Sequence, residues 1–534
     1  MNARQFVDHW KTVELSERSA CHSHFIALCG LLELPPPVDA DPKGEWFAFE
    51  KGLTTTEGKQ GFADVWRKGH FGWEYKKKHA DLGAAFRQLL RYREALQNPP
   101  LLVVCDMERF EIHTNWPNTV KKVYAFTLDQ LTEPRTFALL RSTFISPEEL
   151  NPGKTREQVT EEIAGRFAAL ANGLQKRVAP HAAARFLLKL MFCMFAEDIG
   201  LLRDRLFTGV LAAAHNKPDA LSRRLKNLFE VMATGGTFGA DDILWFNGGL
   251  FADAEVVDLT PEEIKELIRC ALFDWSQVEP SIFGTLFERT LDPDKRAQIG
   301  AHYTGRREIE ELLQPVLLDP LRREWDAVRD RADALWATLQ SENRKTGGGK
   351  GAATKKARAA FDACVRGFLR RLTEVTVLDP ACGSGNFLYL ALHMLLDLEK
   401  EVCTYASAHD VTYIPQVAPA QLRGLEINTY ARELAQVVIW IGFLQWHKFN
   451  GFRGPDSPVL DAMEGIRRTD AILDLSDPAA PKEVEWPDAE FIVGNPPFLG
   501  GNKIRNELGD EYVEALFRAY DGRVPGFADI CCGD

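Results

Sequence analysis

Apolar spacing changes character several times along the chain. Up to about residue 150, helical repeats ("CHSHFIALCGLLEL", "LGAAFRQLLRYREAL") are interleaved with strand-like stretches ("EWFAFEKG", "FGWEYKKK") and a hairpin-like "PPLLVVCDMERFEIHTNW". From about 155 to 290 the helical repeat is almost unbroken, as in "REQVTEEIAGRFAALANGLQKRV" and "AAARFLLKLMFCMFAEDIGLL". The stretch "RKTGGGKGAATKKARAA" is glycine-rich, basic and poor in large apolar residues, which predicts a loop or linker whose cations suit phosphates. Beyond "EVTVLDPACGSGNFLYLALHML" strands alternate with helices, the pattern of a parallel, doubly wound sheet. The expected fold class is α/β, with domains at 1–150, 151–295 (a helical connector) and 296–534.

Composition adds limits to this picture. A chain of 534 residues has room for about three domains. Its formal charge of -12 gives no global electrostatic case for nucleic acid, so any phosphate contact must come from local basic patches. The ten cysteines form no CxxC pair and no Cys/His ligand spacing, which argues against zinc or a disulfide framework and fits a reducing cytoplasm. No signal peptide opens the chain, and "AQVVIWIGFLQW" is too short to span a bilayer, so no membrane partner is expected.

Candidate chemistry is concentrated in two places. In "VTVLDPACGSGNFLYLAL" an apolar strand runs into a glycine turn and then a helix, the layout in which amides at a helix start meet a polar ligand. It is not a dinucleotide fingerprint, because Leu388 stands where the third glycine would be. The next strand, "LRGLEI", ends in Glu426, suited to accept from both hydroxyls of a ribose. A third strand-like segment, "TDAILDL", carries Asp470 at its start, where a carboxylate could accept from an adenine amino group. Finally, "FIVGNPPFLGG" stops an apolar strand with two prolines, which fix the backbone and donate no hydrogen bonds. Asn495 is thereby held at a strand's carboxyl end beside the free carbonyls of Pro496 and Pro497 and the ring of Phe498. Such a group can grip a planar molecule bearing an amino nitrogen. An ordinary Asn-Pro turn is the simpler structural alternative.

The second place is "GFADVWRKGHFGWEYKKKHADLGAAFRQLLRY". On a strand, Glu74 and Lys76 share one face while Trp73 and Tyr75 point to the other, so the polar pair can converge with Asp64. Two carboxylates, Asp64 and Glu74, can hold Mg²⁺, and the lysine can orient the water that attacks a phosphodiester. A solvated basic strand would show the same triplet. A helix with Gln88 and Tyr92 and then another strand follow.

"DPACGSGNFL", "GLEIN", "TDAILDL" and "NPPF", preceded by "GAHYT", resemble the motif series of S-adenosylmethionine-dependent DNA methyltransferases of the adenine-N6 type. The resemblance implies a Rossmann-like methyltransferase domain in which the loop from Asp379 through Ala381 and Gly383 to Gly385, with Phe387, holds the methionine part of the cofactor. It further implies that Glu426 holds the ribose, Asp470 the adenine, and that Tyr303 and Thr304 close over the cofactor carboxylate. Gly305 departs from the serine or proline expected to start the next helix. A flipped adenine would then meet Asn495, Pro496 and Phe498. The amino-terminal segment resembles PD-(D/E)xK nucleases, and the whole arrangement resembles the MmeI-like, Type IIG/IIL single-chain restriction-modification enzymes, with "IFGTLFERTLDPDKRAQIGAHYT" especially similar. Double-stranded DNA is the implied partner. Alternative readings are a phage-defence adenine methyltransferase with an inactive or DNA-binding amino-terminal domain, and a truncated non-catalytic chain.

About half of such a sheet can be drawn from residues 375–498, and the roughly 35 residues beyond are too few for three more strands with crossovers. The expectation is an incomplete methyltransferase domain without a target-recognition domain, dependent on a complementing chain for site-specific methylation.

Overall fold

In a computed structural model, the described residues are 2–13, 17–54, 60–117, 119–153, 155–203, 205–214, 217–246, 249–281, 284, 304–346, 352–452, 463–498 and 502–523. They divide into two compact units, one of residues 1–159, 400–415 and 447–453, the other holding the rest.

The first unit is built on a six-stranded sheet in sequence order: β1 (Phe47–Thr54), β2 (Gln60–Arg67), β3 (Phe71–Tyr75), β4 (Leu101–Cys105), β5 (Arg109–Thr114) and β6 (Val123–Thr127). All neighbours are antiparallel except β3 and β4, which run parallel because α4 (Leu82–Tyr92) carries the chain between them. Side-chain alternation largely sorts the two faces. Val65, Phe71, Trp73, Tyr75, Leu101 and Val103 belong to one apolar cluster with residues of α1 (Ala3–Lys11), α2 (Glu17–Leu31) and α5 (Pro134–Ile145), α3 (Pro37–Ala40) being a short turn before β1. Trp66, Leu102 and Val104 pack instead with Leu82, Ala85 and Leu89 of α4. The strand β2 is absent from the expected elements because Asp64 and Arg67 interrupt its apolar run and glycines flank it.

The second unit takes in most of α6 (Arg156–Leu174), then α7 (Pro180–Asp198), α8 (Leu206–Ala213), α9 (Pro218–Thr234) and α10 (Pro261–Cys270), with a short hairpin of β7 (Gly236–Phe238) and β8 (Asp241–Ile243) that the helical periodicity did not announce. Next, α11 (Arg306–Leu313) leads into a helical pair, α12 (Asp319–Thr346) and α13 (Ala352–Glu374). The basic stretch expected to be a loop is therefore helical from Ala352 onward. Alanine, lysine and arginine are strong helix formers, and burial of Thr354, Phe361 and Val365 on one face holds the helix.

The sheet of this unit has the order β11-β10-β9-β14, from β9 (Val377–Asp379), β10 (Leu422–Glu426), β11 (Ile466–Arg468) and β14 (Phe491–Ile492), all parallel. The helices α14 (Asn386–Ala408) and α15 (Thr429–Phe449) connect β9 to β10 and β10 to β11. The strand expected at "TDAILDL" is instead Ile466–Arg468, and Asp470 follows its carboxyl end. Leu473–Asp474 is a separate strand, β12, paired with β13 (Lys482–Glu483). Residues 502–523 contain α16 (Asn502–Leu508) and α17 (Asp510–Ala519). No helix among the described residues is long and apolar enough to cross a membrane.

Candidate functional site

The parallel order brings the ends of β9, β10, β11 and β14 to one edge of the sheet, the edge at which ligands of open α/β sheets bind. Asp379 is the last residue of β9 and only 1% exposed. Its Oδ1 accepts from the Ala381 N–H at 3.0 Å. Glycine then turns the chain: Gly383 and Gly385 have φ of +52° and +81°, which L side chains rarely adopt. A side chain at Gly385 would also collide with Ala435 of α15, its Cβ 2.9 Å from that of Ala435. The loop is tied to β10 twice, since the Cys382 N–H donates to the Leu425 carbonyl (3.1 Å) and the Gly383 N–H to Glu426 Oε2 (2.9 Å).

Glu426 closes β10, and its Oε1 accepts from the Asn428 N–H at 2.7 Å. Two oxygens thus pin the starts of two successive loops. Burial pushes both carboxyls up, Glu426 above its ordinary value and Asp379 to about 7, with Glu426 adding to the rise at Asp379. The cradle is poised for positive charge.

On the other side of β9, Gly494 lies against Asp379, so close that an added Cβ would stand 2.5 Å from Asp379 Oδ1. The next residue, Asn495, donates from Nδ2 to Thr304 Oγ1 at 3.1 Å. Pro496 and Pro497 are half-buried, and the ring of Phe498 is 67% exposed. Phe387 is buried in the first turn of α14. Asp470 accepts from the backbone N–H groups of Ile472 and Leu473 and from the hydroxyl of Tyr512. Tyr303 lies outside the described residues.

Four residues at this edge escaped the sequence reading. Gly494 gave a signal, a glycine directly before the Asn-Pro-Pro turn. Ile427 is 60% exposed immediately after Glu426, an apolar side chain placed where a strand end meets solvent. Asn386 Oδ1 is buried with no hydrogen-bond partner among the described residues. Gly284 packs on Ser384 of the glycine turn so closely that a side chain there would clash with its hydroxyl.

In the first unit, Asp64 on β2 directly precedes Val65, whose partner on β3 is Trp73, the residue before Glu74. Asp64 Oδ2 accepts from the Tyr75 N–H at 2.6 Å. Glu74 is 3% exposed, and its Oε1 receives Lys76 Nζ at 2.7 Å and Gln88 Nε2 at 2.8 Å. Lys76, which follows the last residue of β3, also donates from Nζ to Gln88 Oε1 at 3.3 Å, so Glu74, Lys76 and Gln88 close a ring of three polar side chains. Behind the sheet the Tyr75 hydroxyl meets His24 Nδ1 at 2.8 Å, and burial holds that imidazole down to about 3, hence neutral. Asp64, Glu74 and Lys76 are thus neighbours. Among the described residues no group of three or more His, Cys, Asp or Glu side chains is arranged to hold a metal.

The chain is 25% identical over 390 residues to DNA methyltransferase A of Bacillus subtilis (strain 168), a match covering 68% of this chain and 40% of that protein. The Type IIL restriction-modification enzyme MmeI, solved in complex with DNA, superposes over 70% of this chain and 47% of its own, with a TM-score of 0.53 at 24% identity. The chain therefore spans less than half the length of these relatives. Residues 1–177 match the MmeI N-terminal domain, 181–251 the MmeI helicase spacer domain and 352–525 the MmeI DNA-methyltransferase domain. With these three domains in that order over most of its length, the chain belongs to the MmeI family and carries a DNA-methyltransferase domain toward its carboxyl end.

Proposed function

We propose that the chain methylates the 6-amino group of adenine in a specific duplex DNA sequence, using S-adenosylmethionine, and that its amino-terminal domain is a PD-(D/E)xK-type nuclease cutting unmodified DNA with Mg²⁺. The observation that carries the methyltransferase half is the approach of Gly494 to Asp379, because it brings the Asn-Pro-Pro-Phe turn beside the glycine cradle.

The residues of the cradle fit the methyl donor. Asn386 Oδ1 is a buried acceptor suited to an ammonium group, and Asp379 and Glu426 favour a cationic ligand. A carboxylate has about four acceptor positions; the two that Glu426 gives to backbone N–H groups leave room for two ribose hydroxyls. Ile427 offers the adenine an apolar face. When bound, S-adenosylmethionine supplies an electrophilic methyl group on sulfur.

With Nδ2 of Asn495 donating to Thr304, the amide oxygen is the end that can accept from a target amine. The Pro496 carbonyl accepts a hydrogen bond from the second amine N–H, and Phe498 stacks on the flipped base. These acceptors orient the nitrogen lone pair and stabilise positive charge as it develops, so no strong base is needed.

In the first unit, Asp64 and Glu74 supply two carboxylates, the donor number with which Mg²⁺ is commonly held alongside water and phosphate. Bound there, the ion supplies Lewis acidity to a phosphodiester. Lys76 orients the attacking water, and Gln88 steadies both Lys76 and Glu74.

Methylated duplex DNA, digested to nucleosides, tests the assignment. N6-methyladenine is expected; N4-methylcytosine as the product would contradict it.

A further inference from the structure

Asp470 is held from three directions. Its Oδ1 accepts from the N–H groups of Ile472 at 2.8 Å and Leu473 at 3.2 Å, and its Oδ2 from the Tyr512 hydroxyl at 2.8 Å. About four acceptor positions exist on a carboxylate, so roughly one remains. Tyr512 lies in the first turn of α17, whose Val513, Ala515 and Leu516 pack in one apolar cluster with Ile472 and Leu473. Just past the end of this helix, at its C-cap, the Tyr520 hydroxyl donates to the Ile472 carbonyl at 3.0 Å.

The apolar cluster and the Tyr520 bond already fasten α17 to this segment. The Tyr512 bond does something else, because it fixes how the carboxylate is turned. Burial, with the charge and hydrogen bond of Asp470, pushes the Tyr512 phenol far above its ordinary value, so the hydroxyl stays a donor throughout the working pH range.

We propose that Tyr512 is a positioning residue that turns the remaining acceptor of Asp470 toward the 6-amino group of the cofactor's adenine, making α17 a determinant of which purine the site accepts. This rests on the cofactor reading given above. The chemistry is a matter of complementarity: adenine presents a donor at position 6, whereas hypoxanthine presents a 6-oxo acceptor that a fixed carboxylate repels. Without the Tyr512 hydroxyl, Oδ1 stays held by the Ile472 and Leu473 N–H groups but Oδ2 loses its own partner, so the remaining acceptor is less sharply aimed and the discrimination narrows.

Calorimetric titration with S-adenosylhomocysteine and with S-inosylhomocysteine tests the proposal. Wild type should bind the adenine ligand more tightly, and Tyr512→Phe, which keeps the ring in its cluster, should narrow the ratio about tenfold. Asp470→Asn should narrow it similarly, with little further change in the double variant, because the two residues act as one unit. Tyr520→Phe removes the hydroxyl bond at the C-cap of α17 and should leave the ratio intact. An unchanged ratio in Tyr512→Phe, or equal weakening of both ligands, would overturn the positioning role, as would a wild type that does not discriminate. Failure of wild type to bind S-adenosylhomocysteine at all would overturn the cofactor reading itself.

Discussion

Gly494 and Asp379 are in contact: the backbone of one passes so near the carboxylate of the other that a Cβ on Gly494 would lie 2.5 Å from Oδ1. β14 pairs with β9 through Phe491–Val377 and Ile492–Leu378, and the Val493 N–H donates to the Leu378 carbonyl at 2.9 Å, so neither strand can yield easily. Gly494→Ala should therefore shift Asp379 or the turn, at about 1–3 kcal/mol of overpacking. The expected result is a lower melting temperature with weaker S-adenosylmethionine binding, read by thermal denaturation and calorimetry. A variant matching wild type in both would show that the contact is not tight.

If S-adenosylmethionine binds beside Asp379 as proposed, its affinity should depend on pH. Burial raises its carboxyl from 3.8 to about 7. A raised carboxyl contributes stability that is fully present below its unfolded value and is lost as pH rises through the folded one. The Asp379 contribution thus falls between about pH 4 and 7, and Asp379→Asn should remove that component from the stability profile. Binding of a cationic ligand favours the ionised form, so affinity for S-adenosylmethionine should rise with pH up to about 7 and then level off. A flat affinity profile in wild type between pH 6 and 8 would contradict this.

Glu426 joins two loops through one side chain. Glu426→Ala leaves the N–H groups of Gly383 and Asn428 without their acceptor and should weaken cofactor binding, a hydrogen bond to a charged group being worth about 1.5–3 kcal/mol. Calorimetry showing unchanged affinity would refute the role.

In the amino-terminal domain, Lys76→Ala should abolish Mg²⁺-dependent cleavage while leaving methyl transfer in place, because the two sites lie in separate compact units. Gln88→Leu should slow cleavage less severely, since it removes a support of Glu74 and Lys76 and no reacting group. Loss of both activities in a folded Lys76→Ala protein would contradict the assignment.

What could be read from the chain, and what could not, follows from how far each contact reaches. The glycine turn and the Asn-Pro-Pro turn are contiguous and carry their backbone demands in their own residues, so they stand out in the sequence. The pairing of Asn495 with Thr304 spans 191 positions, and that of Tyr512 with Asp470 spans 42. A tyrosine that acts through another residue leaves no local pattern. Asp470 is legible as an acid at the start of "TDAILDL", but the strand it follows, Ile466–Arg468, is short and ends in two arginines, so the apolar "AILDL" hides it. Asp64, Glu74 and Lys76 stand out by residue type, and the alternation along Phe71–Tyr75 turns Glu74 away from Trp73 and Tyr75. The strand that carries Asp64 was hidden by its own polar residues.

Whether Asn495 accepts a hydrogen bond from the target amine is decided by comparing methyl transfer to adenine by wild type and Asn495→Ala in the smallest assembly in which the wild-type chain is active. Removal of an acceptor used at the developing charge should lower transfer by about 10²–10³-fold, while calorimetry shows S-adenosylmethionine affinity changed by no more than about twofold, within one logarithmic step of 1.4 kcal/mol. Equal transfer rates for the two proteins, or a loss of transfer matched by an equal loss of cofactor binding, would contradict the account.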